Sequence, residues 1–145
     1  MKKLFIDCDV LLDVGLGQEP FCQASGQLID YLEANPNSGF IAWHSVANIY
    51  YIVSKATTKE KAKSFIVKLG QFIQIVPTSN TDVLSAASLP MKDFEDALQC
   101  AAALACEADV IVTRNLEDYQ QAPINAMTPT QILNALQAKQ TPSED

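Results

Sequence analysis

The sequence is poor in the groups that most often carry chemistry. Its 145 residues include one histidine, His44, and one arginine, Arg114. His44 follows Trp43 at the end of a predicted strand with no obvious Ser or Cys nucleophile context, so packing in the core or at a turn is its expected role. Neither a GxGxxG nor a Walker A loop occurs, which removes support for a dinucleotide or nucleotide cradle. The four cysteines, Cys8, Cys22, Cys100 and Cys106, show no CxxC spacing, and three lie in apolar stretches. Buried, reduced thiols fit that pattern better than a zinc site or a disulfide framework. No apolar run approaches the roughly 20 residues that cross a bilayer. The run after the two N-terminal lysines is broken at once by Asp7 and Asp9, so it reads as a strand and not a signal peptide. A cytoplasmic protein without membrane contact is the expectation.

What is present suits one globular domain. Apolar residues make up 48% and charged residues 19% of the chain, a globular composition, and the length suffices for a real core. Residues 1–140 are expected to form one domain, with 141–145 as a polar tail. Strands are predicted over 3–8, 40–43, 72–76 and 109–113, with a fifth, edge strand over 124–127. Between them come a short helical turn from Val10, a helix through Leu28, Ile29 and Leu32, and a helix capped by Ser45 and running to Val53. A helix capped by Thr57 or Thr58 follows, then one from about 81 to 88. Asp93 opens an Ala-rich helix to about Glu107, and Thr128-Pro129 starts the last. The alternation implies an α/β, three-layer α/β/α sandwich around a mainly parallel sheet of four to five strands.

Acids cluster where strand ends and helix starts should fall. Asp7 and Asp9 end the first strand. Asp93 and Asp96 stand three apart on one helix face. Thr113-Arg114-Asn115-Leu116-Glu117-Asp118 follows the fourth strand. A parallel sheet gathers such positions at its carboxyl edge, where ligands bind. Carboxylates brought together there repel unless a cation or shared proton offsets the repulsion. Acids without His or Cys partners favour Mg²⁺ or Mn²⁺, which activate water and stabilise charge on a phosphoryl group. Structural roles are also open: Asp93 as an N-cap, Asp96 as a first-turn acid, Asp9 and the Asn115/Asp118 pair as turn caps. Asp7 is harder to explain that way, because a carboxylate ending a buried strand is costly without partners.

Three stretches, taken in order, resemble the motifs of PIN domains: Phe5-Ile6-Asp7-Cys8-Asp9-Val10-Leu11-Leu12-Asp13, Asp93-Phe94-Glu95-Asp96-Ala97-Leu98-Gln99 and Val112-Thr113-Arg114-Asn115-Leu116-Glu117-Asp118-Tyr119. The resemblance implies a PIN-like α/β/α fold and a Mg²⁺- or Mn²⁺-dependent ribonuclease, commonly the toxin of a VapBC-type toxin–antitoxin pair and usually a homodimer. It implies Asp7, Asp96 and Asp118 as catalytic metal acids, with Asp9, Asn48, Asp93, Thr113, Arg114 and Asn115 in support. RNA and an antitoxin protein are the implied partners. One departure stands out: relatives place a Glu on the helix after strand two, where this chain has Asn48. An amide oxygen can ligate or hold water but adds no charge; Asp9 or Asp93 would have to compensate. A PIN-like binding module without activity is therefore a second reading. A third is a haloacid-dehalogenase-like phosphatase, whose DxDxV opening fits Asp7-Cys8-Asp9-Val10, although the chain is short for that fold.

The net charge of −7 argues against a general nucleic-acid-binding surface. Lys55, Lys59, Lys61, Lys63 and Lys68 nonetheless supply half of the basic residues within one segment, either a solvated helix face or a patch that steers RNA. Arg114 has two roles open to it, a phosphate contact or a surface ion pair.

Overall fold

A computed structural model describes residues 2–140. Five short strands, β1 (Leu4–Ile6), β2 (Gly39–Ala42), β3 (Ile73–Val76), β4 (Val110–Val112) and β5 (Ala126–Met127), form one sheet in the order β3-β2-β1-β4-β5. Every pairing is parallel. All five strands therefore end at the same edge, and the central β1 delivers Asp7 there. Seven helices surround the sheet: α1 (Cys8–Leu16), α2 (Cys22–Ala34), α3 (Trp43–Ala56), α4 (Lys59–Leu69), α5 (Asn80–Ser88), α6 (Phe94–Ala105) and α7 (Pro129–Gln140). The polar tail expected over 141–145 lies outside the described residues.

The three layers follow from strand alternation. Leu4, Ile6, Ile41, Ile73, Val110 and Val112 face one side, against residues of α1, α2, α3, α4 and α7. Phe5, Ala42, Val76 and Ile111 face the other, against Cys100, Ala102 and Ala103 of α6 and against Tyr119. Ala86 of α5 packs outside this layer on Ala97 and Ala101 of α6, so small residues set the close approach of these two helices. Gly15 lets α1 lie tight on α3 and α4, since a Cβ there would come within 2.9 Å of the Phe65 ring and 3.1 Å of Val53.

Several element boundaries move from their sequence expectations, each for a local reason. The helix expected from Val10 starts at Cys8, because the Asp7 side chain caps it by accepting from the Cys8 N–H. Ser45 is no cap: α3 begins two residues earlier at Trp43, and Ser45 is buried within it, donating to Gln99 Oε1. Of the two threonines, Thr58 caps α4, accepting from Lys61 N at 3.1 Å.

Candidate active site

Asp7 is the hub. It sits between β1 and α1, and its backbone N–H donates to Val112 O of β4. Its Oδ1 accepts from Cys8 N (2.7 Å) and Gln99 Nε2 (3.0 Å), and its Oδ2 from Thr113 Oγ1 (2.9 Å) and the Tyr119 hydroxyl (3.0 Å). Four donors match the roughly four lone-pair positions of a carboxylate, which explains how the strand-end acid is tolerated inside the fold. Burial, followed by the charges of Asp7 and Asp96, raises the Tyr119 pKa, so its phenol stays protonated and remains a donor.

Around Asp7 lies an open cleft of about 400 Å³. Asp7, Asp9 and Leu12 line it from the β1–α1 junction, Asn48 and Ile52 from α3, Asp93, Glu95 and Asp96 from the start of α6, and Asn115 and Asp118 from the segment after β4. The three acid clusters separated in the sequence thus share one cleft. Asp93 fills the capping role, accepting from Asp96 N at 3.0 Å, and it also lines the cleft. Asp9 Oδ2 accepts from Asn115 Nδ2 (3.0 Å), Arg114 N (3.3 Å) and Thr113 Oγ1 (3.4 Å), whereas its buried Oδ1 has no hydrogen-bond partner among the described residues.

Crowding shows in the titration of these acids. Burial, then the charge of Asp7, pushes Asp9 up to about 7, with Arg114 opposing part of the rise. Burial, then Asp93, Asp118, Asp7 and Glu95, pushes Asp96 up to about 7. Cys8 is the one sulfur on the cleft; burial and the charges of Asp7, Glu95 and Asp9 push its thiol up to about 12, so it is neither a nucleophile nor a thiolate ligand near neutrality.

Six carboxylates, two carboxamides and no imidazole make an oxygen donor set suited to Mg²⁺ or Mn²⁺. Among the described residues no three acids already close into a cage around one point. The fit is one of donor chemistry, mutual repulsion that a cation relieves, and the orphaned Asp9 Oδ1.

Two expected supporting residues act from behind the cleft. Thr113 is fully buried and ties Asp7 to Asp9 through its hydroxyl. The Arg114 guanidinium does not line the cleft; its Nε donates to buried Asp13 Oδ2 at 2.9 Å and its Cζ lies 4.2 Å from the Phe21 ring centre. Arg114 does form an ion pair, but with a fully buried carboxylate and not the surface pair expected. His44 stays apart in the first turn of α3. Glu95, Gln99, Tyr119 and Asp13 were within the motif stretches, yet nothing in their spacing singled them out. Their parts depend on which helix leans on which.

Fold and cleft together define an α/β/α protein of parallel topology with an acid-lined pocket at the carboxyl edge of its sheet. The sequence profile of the PIN domain family matches residues 3–117, and the chain belongs to that family. No curated protein matches the sequence. Among solved structures, DNA-bound VapBC from Salmonella typhimurium superposes with a TM-score of 0.69 at 14% identity, covering 89% of this chain and 99% of that one. VapBC2 from Rickettsia felis, bound to a promoter DNA fragment, gives a TM-score of 0.68 at 19% identity, covering 86% and 97%. VapC20 from Mycobacterium tuberculosis, described as a sarcin–ricin loop cleaving toxin, gives 0.61 at 10% identity, covering 75% and 87%. At these identities the likeness is one of fold.

Proposed function

We propose that this PIN domain is a Mg²⁺- or Mn²⁺-dependent endoribonuclease and the toxin of a toxin–antitoxin pair. The observation that carries the reading is the gathering of Asp7, Asp96 and Asp118, with Asp9, Asp93 and Glu95, on one cleft of a PIN fold. Asp7, Asp96 and Asp118 would hold the ion, which supplies an activated water and offsets charge developing on the scissile phosphate. The chain's own part is orientation. Thr113, Tyr119 and Gln99 fix the Asp7 carboxylate through hydrogen bonds, and Asn115 holds Asp9. Asn48 and Asn115 present amides to water or to the RNA backbone. The phosphatase reading has no comparable support, because the family is PIN.

An antitoxin partner is supported by the neighbours that are themselves toxin–antitoxin assemblies. An apolar groove of about 170 Å³ lined by Trp43, Val46, Ile66 and Ile75 offers such a partner a surface. Val83 and Leu84, both at least half exposed on α5, suit the contact of a homodimer. Among the described residues no helix is long and apolar enough to cross a membrane, in keeping with action on RNA in the cytoplasm.

The test incubates wild type, Asp96→Asn and Asp118→Asn with single-stranded and structured RNA in Mn²⁺ or in EDTA. Cleavage by wild type in Mn²⁺ alone is expected. Equal cleavage by all three proteins, or cleavage unaffected by EDTA, would sink the proposal.

A further inference from the structure

The acid that the PIN resemblance expects on α3 is missing, and the cleft shows what stands in its place. Asn48 Nδ2 donates to Glu95 Oε1 at 3.1 Å, joining α3 to the first turn of α6 across 47 residues of sequence. A carboxylate only accepts, so the Asn48 NH₂ must be the group facing it. We propose that Glu95 supplies the cation-holding carboxylate that position 48 lacks, and that Asn48 is the positioning residue that turns it into the cleft. The inference rests on the metal-dependent reading above and deepens it.

Three features favour this over a surface acid at a helix start. Glu95 lines the same cleft as Asp7, Asp9 and Asp96, so the charge lost on α3 is restored from α6. Asn48 engages Oε1 only, and Oε2 carries no hydrogen bond among the described residues. The pair is also mutually exclusive with the usual arrangement. A Glu at 48 would bring a second carboxylate up to Glu95 in place of a donor, adding like-charge repulsion to an already acidic cleft. The identities at 48 and 95 are therefore coupled: one amide and one acid, in either order.

Calorimetric titration of the full chain with Mn²⁺ at neutral pH, alongside thermal melts, tests the coupling. Glu95→Gln is expected to weaken Mn²⁺ binding on the order of 10- to 100-fold while melting no lower than wild type does in EDTA. Asn48→Ala is expected to weaken it less. The exchange Asn48→Glu with Glu95→Asn should bring affinity back towards wild type, which a merely structural role for Asn48 would not predict. Wild-type affinity in Glu95→Gln, or an exchange variant as weak as Glu95→Gln, overturns the proposal. Asp96→Asn separates the two levels. If it loses Mn²⁺ and Glu95→Gln does not, only the role of Glu95 falls; if wild type itself binds no Mn²⁺, the metal-dependent reading falls with it.

Discussion

At the scale of single residues, Asp9 and Asp96 make the cleft a pH-sensitive part of the fold. Both rise from an ordinary 3.8 to about 7, chiefly through burial and then through neighbouring carboxylates. In the unfolded chain they ionise near their ordinary value, so between about pH 4 and pH 7 the folded protein holds more protons than the unfolded one. Stability then falls as pH rises through that window and stays low above it. In EDTA the melting temperature should drop between pH 5 and pH 8; a net penalty of even 1 kcal/mol is worth roughly 4 °C in a domain of this size. Mn²⁺ held as proposed would oppose the drop, because a ligand at about 100 times its Kd adds roughly 2.7 kcal/mol, and it should help more at pH 8 than at pH 5.5. Scanning calorimetry across this range is the measurement. A melting temperature flat with pH in EDTA would refute the crowding argument.

At the scale of elements, the three acid motifs were legible in the sequence because each adjoins a strand end or helix start, and parallel topology puts all such places at one edge. The parallel sheet and its layers followed from the same alternation of strands and helices. What could not be read was which side chains bridge elements. Gln99 links α6 to Asp7 and to Ser45 of α3, and neither spacing nor composition announces a bond across so much sequence. Arg114 is the clearest case. Its partner Asp13 is fully buried only because α1 and α2 close over it, with Ser25 of α2 donating to the same carboxylate at 3.3 Å. The guanidinium thereby ties the segment after β4 to α1 and, through Phe21, to the start of α2. Removing it strands a buried charge, so Arg114→Ala should cost about 3–5 kcal/mol. Arg114→Ala with Asp13→Asn should cost less than Arg114→Ala alone, because the orphaned charge goes too. Urea unfolding of the three proteins decides it; a loss under about 1 kcal/mol for Arg114→Ala would mean that the pair behaves like an ordinary surface bridge.

At the scale of the whole molecule, the proposed RNA substrate would have to approach an acidic cleft on a chain of net charge −7. Half of the basic residues are concentrated in one segment. Lys55 ends α3, three residues beyond Ile52 of the cleft, and Lys59, Lys61, Lys63 and Lys68 follow on α4, all of them exposed. Residues three apart share a helix face, so Lys55 stands on the Ile52 face of α3, whereas Lys63 borders the groove of Trp43, Val46 and Tyr50. Lys59 and Lys61 sit on the exposed first turn of α4, where a charge reversal leaves the interior undisturbed. Lys59→Glu with Lys61→Glu should therefore leave the melting temperature nearly unchanged while weakening single-stranded RNA binding at low salt. Each phosphate that a lysine no longer neutralises lowers the slope of log affinity against log salt by about 0.7 for a single strand. The double variant should therefore show a slope shallower by about 1.4 and converge with wild type at high salt. Fluorescence anisotropy with a labelled RNA, in Ca²⁺ to slow cleavage, gives both slopes. Parallel lines would assign the lysines to a solvated helix face and leave the steering to groups within the cleft.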